Sequence, residues 1–119
     1  KEAGYSNTTG QRNTFFGAYS GYANTTGASN VYLGYEAGKT ATATQSNKLI
    51  IANSETNNLI EGDFSTGIAT INNVLTLTPI ATANRPATPA EGMMYMDSTV
   101  DSLKIYINSK WFNINMTEE

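Results

Sequence analysis

Tyr5 to Gly21 reads YSNTTGQRNTFFGAYSG, and Tyr22 to Gly38 reads YANTTGASNVYLGYEAG. The two copies keep an offset of 17 at Gly10 and Gly27, Asn13 and Asn30, Gly17 and Gly34, and Gly21 and Gly38. Gly4 falls where the tail of an earlier copy would end. A third copy fades: Lys39 takes the Tyr slot, Asn47 the Asn slot and Leu49-Ile50 the aromatic slot, and Ile51 stands where a Gly is due. A fixed short period predicts a solenoid, in which each repeat is one turn and buries its apolar side only by stacking on its neighbours.

Within a repeat, Gly, Asn and Thr are weak helix formers and no 3.6-residue apolar period runs through them. Each unit fits two short strands and two turns. Val31-Tyr32-Leu33 reads as a strand with Val31 and Leu33 on one face and Tyr32 on the other. Thr14 and Phe16 then take the inward positions in the first copy, and Phe15 takes that of Tyr32. The Asn-Thr-Thr-Gly segments supply turns, with Gly10 and Gly27 expected at positive φ. Gly17 and Gly34 end the strands at points where a side chain should clash.

Working outward, Thr40 to Thr44 alternates Thr with Ala, which reads as a row of Thr on one face. Residues 1–52 are thus read as parallel β-roll repeats and 53–78 as a strand-built shaft. All the prolines, Pro79, Pro86 and Pro89, crowd into 79–91, an expected extended linker without regular pairing. Residues 92–119 then change texture. Gly92–Asp97, Leu103–Ile107 and Lys110–Ile114 alternate with period 2, and Asn108-Ser109 makes a two-residue hairpin turn. This is a small antiparallel meander, in which Trp111 should find a buried place against Met93, Tyr95, Ile105 or a neighbouring chain.

Charge is sparse, at 14% of the 119 residues, and the net charge is −3. That balance gives no reason to expect nucleic acid, whose phosphates need a basic patch. With neither Cys nor His, the chain has no disulfide framework, no thiolate metal site and no His general base. No apolar run is long enough to span a membrane. The chain opens inside a repeat without Met or a visible signal peptide, and reads as a piece of something longer.

Candidate chemistry is thin. Glu61 and Asp63 share a strand face and could serve glycoside hydrolysis or Ca²⁺, or simply flank a turn at Gly62. Asp97 and Asp101 flank Ser98-Thr99-Val100, which reads as a Ca²⁺ loop or a polar hairpin loop. Asn7-Thr8-Thr9 and Asn24-Thr25-Thr26 match the glycosylation pattern but read as turns. Tyr19, Tyr22 and Tyr35 are amphipathic platforms on which sugars could stack, or seals of the coil or a subunit interface. No catalytic residue, metal or cofactor is assigned. Large aromatic and aliphatic side chains lie on both faces of the short strands; one face fills the coil, the other meets water or a partner chain, and the aromatic content points to a partner, as in a symmetric trimer.

Asn30 to Gly38 resembles the head repeat of trimeric autotransporter adhesins. The longer unit, with Gly-Tyr-x-Ala-Gly and Asn-Thr-Thr-Gly, is closer to tail-fibre proteins of phages and phage-like particles. Ser46 to Asn53 followed by Gly62 to Gly67 resembles a segment that closes such arrays, and Arg85 to Tyr95 followed by Trp111-Phe112 resembles the small β module near the ends of phage tail fibres. The resemblance implies an all-β intertwined homotrimer, extracellular, on a virion or a bacterial surface. It implies a binding role towards a cell-surface glycan or protein receptor, with other fibre or baseplate proteins as neighbours. The expected function is a structural and receptor-binding segment of such a fibre. An adhesin head and a polysaccharide-degrading tailspike segment are the alternatives. Neither nucleic acid nor membrane insertion is expected.

Overall fold

The computed structural model describes residues 1–114; residues 115–119, the end of the expected C-terminal module, lie outside the described residues. Among the described residues the chain is all-β, without an α-helix. The first sheet holds β1 (Thr14–Phe16), β2 (Val31–Leu33), β3 (Lys48–Ala52), β4 (Asn58–Asp63) and β5 (Ile68–Ile71) in sequence order. The second holds β6 (Met94–Asp97), β7 (Ser102–Ile107) and β8 (Lys110–Ile114). Lys1–Val74 form one compact unit and the residues from Leu75 a second.

In the first unit the repeats stack in parallel. Phe15 pairs with Tyr32, 17 residues on, and Tyr32 with Ile50, 18 residues on. The extra residue enters between Lys39 and Ala43. Ser6 N–H donates to Tyr22 O and Ala23 N–H to Lys39 O, both 16 apart. Thr8 N–H donates to Thr25 O, 17 apart, but Thr25 N–H donates to Ala43 O, 18 apart. The Thr40–Thr44 stretch absorbs the insertion as turns and bends, so the expected Thr row does not form. The third copy is therefore displaced by one: Lys48 rather than Asn47 follows Asn30, and Ala52 rather than Ile51 takes the Gly slot.

Asparagine side chains tie the turns together. Asn13 Oδ1 accepts from Asn30 N–H at 2.9 Å, and its Nδ2 donates to Gly27 O at 2.7 Å. Asn30 repeats the arrangement one turn on, accepting from Lys48 N–H at 2.9 Å and donating to Gln45 O at 2.6 Å. Backbone conformation repeats as well. Glu2, Tyr19 and Glu36 all lie near φ +56 to +59, as do Arg12, Ser29 and Asn47 near +59 to +60. Such left-handed non-glycine residues are uncommon, so their recurrence marks a geometric need of the turn.

The faces of the strands are opposite to the expected ones. Phe15, Tyr32 and Ile50 point inward, and Tyr32 and Ile50 form the core with Ala37 and Ala52. Phe16 is 75% exposed. Alternation separates two faces without saying which is inside; the glycines decide it. A Cβ on Gly21 would stand 2.6 Å from the Phe15 ring, and one on Gly38 would stand 2.6 Å from Tyr32, so bare backbone makes room for these rings. Gly10 and Gly27 are not at positive φ. They are needed for contact: a Cβ on Gly10 would lie 2.3 Å from Gly27 O, and one on Gly27 2.0 Å from Gln45 O.

Past the repeats the chain reverses. β4 pairs antiparallel with β3, and β5 with β4. The sheet thus runs on through residue 52 without the expected break there, while residues 74–77 form no strand.

In the second unit Asn108 (φ +52) and Ser109 (φ +62) make the β7–β8 turn, the pair of left-handed residues that a type I′ hairpin requires. The proline-rich segment is not an unpaired linker. Ile80 N–H donates to Met96 O and Ser98 N–H to Ile80 O, both at 2.9 Å, and Thr82–Asn84 form a 3-10 turn. The Glu91 carboxylate accepts from the N–H groups of Asn108 and Ser109 at 2.9 and 3.0 Å. Pro supplies no N–H, so this segment is tied down by its other residues, Ile80, Thr82 and Glu91.

Two outcomes follow from this packing. Gly34 lies at φ +113 with Ala52 O 1.8 Å from where a Cβ would be, whereas Gly67 lies at φ +70 with nothing within 4 Å. Gly34→Ala should therefore lose about 1–3 kcal/mol more than Gly67→Ala in urea unfolding; equal losses would place Gly34 in open space. Tyr32 is wholly buried and its hydroxyl has no hydrogen-bond partner among the described residues. Tyr32→Phe removes that unpaired group without changing the ring, and should leave the urea midpoint unchanged or raise stability by up to ~1 kcal/mol. A clear loss would reveal a partner for the hydroxyl.

Candidate functional site

The stacking that builds the core also lines up tyrosines on the turn side of the repeats. Tyr19 lies 6.0 Å from Tyr22 at 57° and 6.4 Å from Tyr35 at 81°, centroid to centroid. The structure thus brings the three expected platforms together. It adds Tyr5, stacked flat on Tyr22 at 5.2 Å and 4°. Tyr5, Tyr22 and Lys39 hold the same repeat slot, so the offset of 17 carried a signal for this ladder. Lys39 Nζ sits 5.7 Å from the centre of the Tyr19 ring and pairs with Glu36 at 2.7 Å and Glu55 at 3.3 Å.

Ring-on-ring stacking covers much of Tyr19 and Tyr22. The accessible phenols are Tyr5, 68% exposed, and Tyr35, 52% exposed. The Glu36 carboxylate beside Tyr35 raises its phenol pKa. A hydrogen bond from Lys39 lowers that of Glu36, and Glu36 in turn raises that of Lys39. The ridge is thus a neutral aromatic surface edged by a charge cluster of one lysine and two carboxylates.

The inner face of the sheet turns polar where the repeats stop. Ile50 is followed across the sheet by Glu61 and then Thr70, and Lys48 by Asp63 and then Ile68. These residues, with Gln45, Glu55 and Asn58, line a groove of about 570 Å³. The two carboxylates of β4 take separate partners. Asp63 takes Lys48 Nζ at 2.5 Å, and also accepts from Ser65 N–H and Ser65 Oγ. The Lys48 bond chiefly holds its pKa well below the usual carboxylate range. Glu61 instead accepts from Asn58 Nδ2 at 2.5 Å. Asp63 is a brace between β3 and the β4–β5 turn. Among the described residues no group of three or more His, Cys, Asp or Glu is placed to hold a metal ion.

The opposite face of the same sheet is apolar along its length. Phe16, Leu33, Ile51, Ile60 and Ile71 stand in one row across β1 to β5. The neighbouring row is Thr14, Val31, Leu49, Gly62 and Ala69. Neither row carries a charge.

In the second unit Trp111 meets the Tyr95 ring edge-on at 4.9 Å and 88°, and Tyr106 at 5.1 Å and 58°. Tyr95 was among the contacts expected for it. Beneath lies a buried carboxylate that the sequence did not single out as structural. Asp97 accepts from Thr82 Oγ1 at 2.7 Å, from the Tyr95 hydroxyl at 2.9 Å and from Thr99 N–H at 2.9 Å. These donors, the Thr82 hydroxyl foremost, hold its pKa down to about 2. Burial, with the charge of Asp97 beside it, raises the phenol of Tyr95.

No protein-family model, no curated protein and no solved structure matches this chain.

The Asp97 cluster predicts a pH dependence. Its ordinary pKa of 3.8 is lowered on folding to about 2, so the folded state favours the charged form. That contribution is complete above roughly pH 4 and is lost as pH falls towards 2. The gap in urea midpoint between the native chain and Asp97→Asn, followed by Trp111 fluorescence, should be widest near neutral pH and narrow below pH 4. A gap independent of pH would refute the charged role.

Proposed function

We propose that this chain is a structural and receptor-binding segment of a homotrimeric fibre of the phage or phage-like tail-fibre type, mediating attachment to a bacterial cell surface. One observation carries the reading: the unbroken apolar face of the five-stranded sheet, from Phe16 through Leu33, Ile51 and Ile60 to Ile71. A row of this length, with Phe16 75% exposed at one end and Ile71 40% exposed at the other, favours burial against another chain. The row follows the stacking direction of the strands, with a step of about 4.8 Å. A copy of the same chain lying alongside in the same direction offers the same step. Layer then meets layer, Phe16 near Phe16 and Leu33 near Leu33, and a closed ring leaves no copy with a bare face. In this arrangement the stacked repeats are a β-roll and the tyrosine ridge faces outward.

The binding role rests on that ridge. Tyr5 and Tyr35 offer exposed rings to a glycan or a protein loop, and the Lys39–Glu36–Glu55 cluster supplies hydrogen bonds at its edge. The engagement of Asp63 by Lys48 and Ser65 weighs against a hydrolytic role for the Glu61 and Asp63 carboxylates.

Sedimentation equilibrium at micromolar concentration tests the assembly. The expected species has three times the chain mass of 12.8 kDa. Phe16→Glu combined with Ile51→Glu should give a 12.8 kDa species that keeps its β-sheet circular dichroism. A folded native chain of single mass, or a trimer indifferent to both substitutions, would refute the reading.

A further inference from the structure

The second unit contains a concavity of about 870 Å³ that the roles above leave unused. The rings of Trp111 and Tyr106 line it, with the rigid rings of Pro86 and Pro89 and the cations of Arg85 and Lys110. Its size falls in the range of small-molecule sites. No carboxylate lines it among the described residues, although the chain as a whole carries a net charge of −3. Arg85 and Lys110 pair with no acid among the described residues, whose ion pairs all belong to the first unit. The nearby carboxylates are engaged: Glu91 holds the N–H groups of the β7–β8 turn, and Asp97 is enclosed by Thr82, Tyr95 and Thr99. Trp111 is only partly buried, and the edge-on contact with Tyr95 fixes the plane of its indole.

A fixed aromatic plane beside two cations that have no acid partner among the described residues suits a ligand with a flat, weakly apolar side and a negative charge. We propose that this cleft binds a carboxylated sugar residue, such as a uronic acid within a polysaccharide. The C–H face of the sugar ring lies on Trp111 or Tyr106, and its carboxylate is taken by Arg85 and Lys110. A guanidinium matches a carboxylate with two parallel hydrogen bonds, and exclusion of water by the rings strengthens the charge contact. A nucleic acid fits less well, because two cations on an acidic chain cannot offset a run of phosphates. An acidic peptide lacks the flat C–H face. The site lies within one chain and does not depend on the trimer.

Trp111 is the only tryptophan, so its fluorescence reports on this cleft. The test titrates the full chain with trigalacturonate, and in parallel with neutral galactotriose and with a short oligothymidylate. The expected result is a saturable change with trigalacturonate that weakens as salt is raised. Arg85→Gln with Lys110→Gln, both exposed positions, should weaken it about tenfold or more while the circular dichroism stays unchanged. Equal binding of galactotriose by the native chain would overturn the proposal, as would no saturable change at millimolar trigalacturonate. Tighter binding of the oligothymidylate would overturn it in favour of a polyphosphate site.

Discussion

The first unit depends on a side-chain amide that spans two turns of chain. Asn13 and Asn30 each accept from a backbone N–H of the next repeat and donate to a carbonyl of the same turn layer. An amide carries its donor and its acceptor on two separate atoms, whereas a hydroxyl must make both bonds from one oxygen and a carboxylate only accepts. Asn30 is wholly buried, so its hydrogen bonds are made in a medium where losing one costs the full desolvation penalty of the group left behind. The clamp fixes the register of β1 on β2 and of β2 on β3. Every other feature of the unit, including the ring column, the tyrosine ladder and the apolar row, is a consequence of that register.

Close approach is the second half of the same constraint. The clamp draws backbone to backbone at Gly17 over Gly34, where a Cβ on Gly17 would stand 2.3 Å from the Gly34 carbonyl. At the next layer the slot is filled by Ala52, and the chain there reverses into β4 instead of starting another turn. An alanine is tolerable at the last layer because no further parallel turn has to settle on it. The array therefore ends where the glycine ends, and the polar groove at Glu61 and Thr70 marks the end of the filled interior.

Much of this was legible in the residues. The offset of 17 gave the parallel pairing of β1 and β2, and period-2 alternation with Asn108-Ser109 gave the β6–β8 meander. Three things were not legible, each for a physical reason. Alternation is symmetric between inside and outside, and only the glycines beneath Phe15 and Tyr32 break the tie. The one-residue insertion near Thr40 sits in a turn, where length is cheap and no side-chain pattern records it. The left-handed residues Arg12, Tyr19, Ser29 and Glu36 carry no local preference for that conformation, and are held there by the stacking. Of the surfaces, Tyr19, Tyr22 and Tyr35 could be named as amphipathic platforms, and Tyr5 was overlooked although it shares the repeat slot of Tyr22. Asp97 looked like a loop acid because its donors Thr82 and Tyr95 approach from different segments, one of them expected to be unpaired.

The two units also differ in what holds them. The repeats bury few apolar side chains, chiefly Tyr32, Ala37, Ile50 and Ala52, and rely on hydrogen bonds passed from turn to turn. In such an array stability is roughly a sum of nearest-neighbour terms, so a short stack has little in reserve. Net hydrogen-bond contributions are modest, about 1 kcal/mol each, because the unfolded chain bonds to water. Apolar surface is therefore the scarce stabilising resource, yet the sheet leaves a full row of it, Phe16 to Ile71, on its outer side. A lone chain would carry that row as a liability, an exposed apolar patch of the kind that drives aggregation. Association that covers the row would supply the burial that the narrow interior cannot, and would convert the liability into the main source of stability.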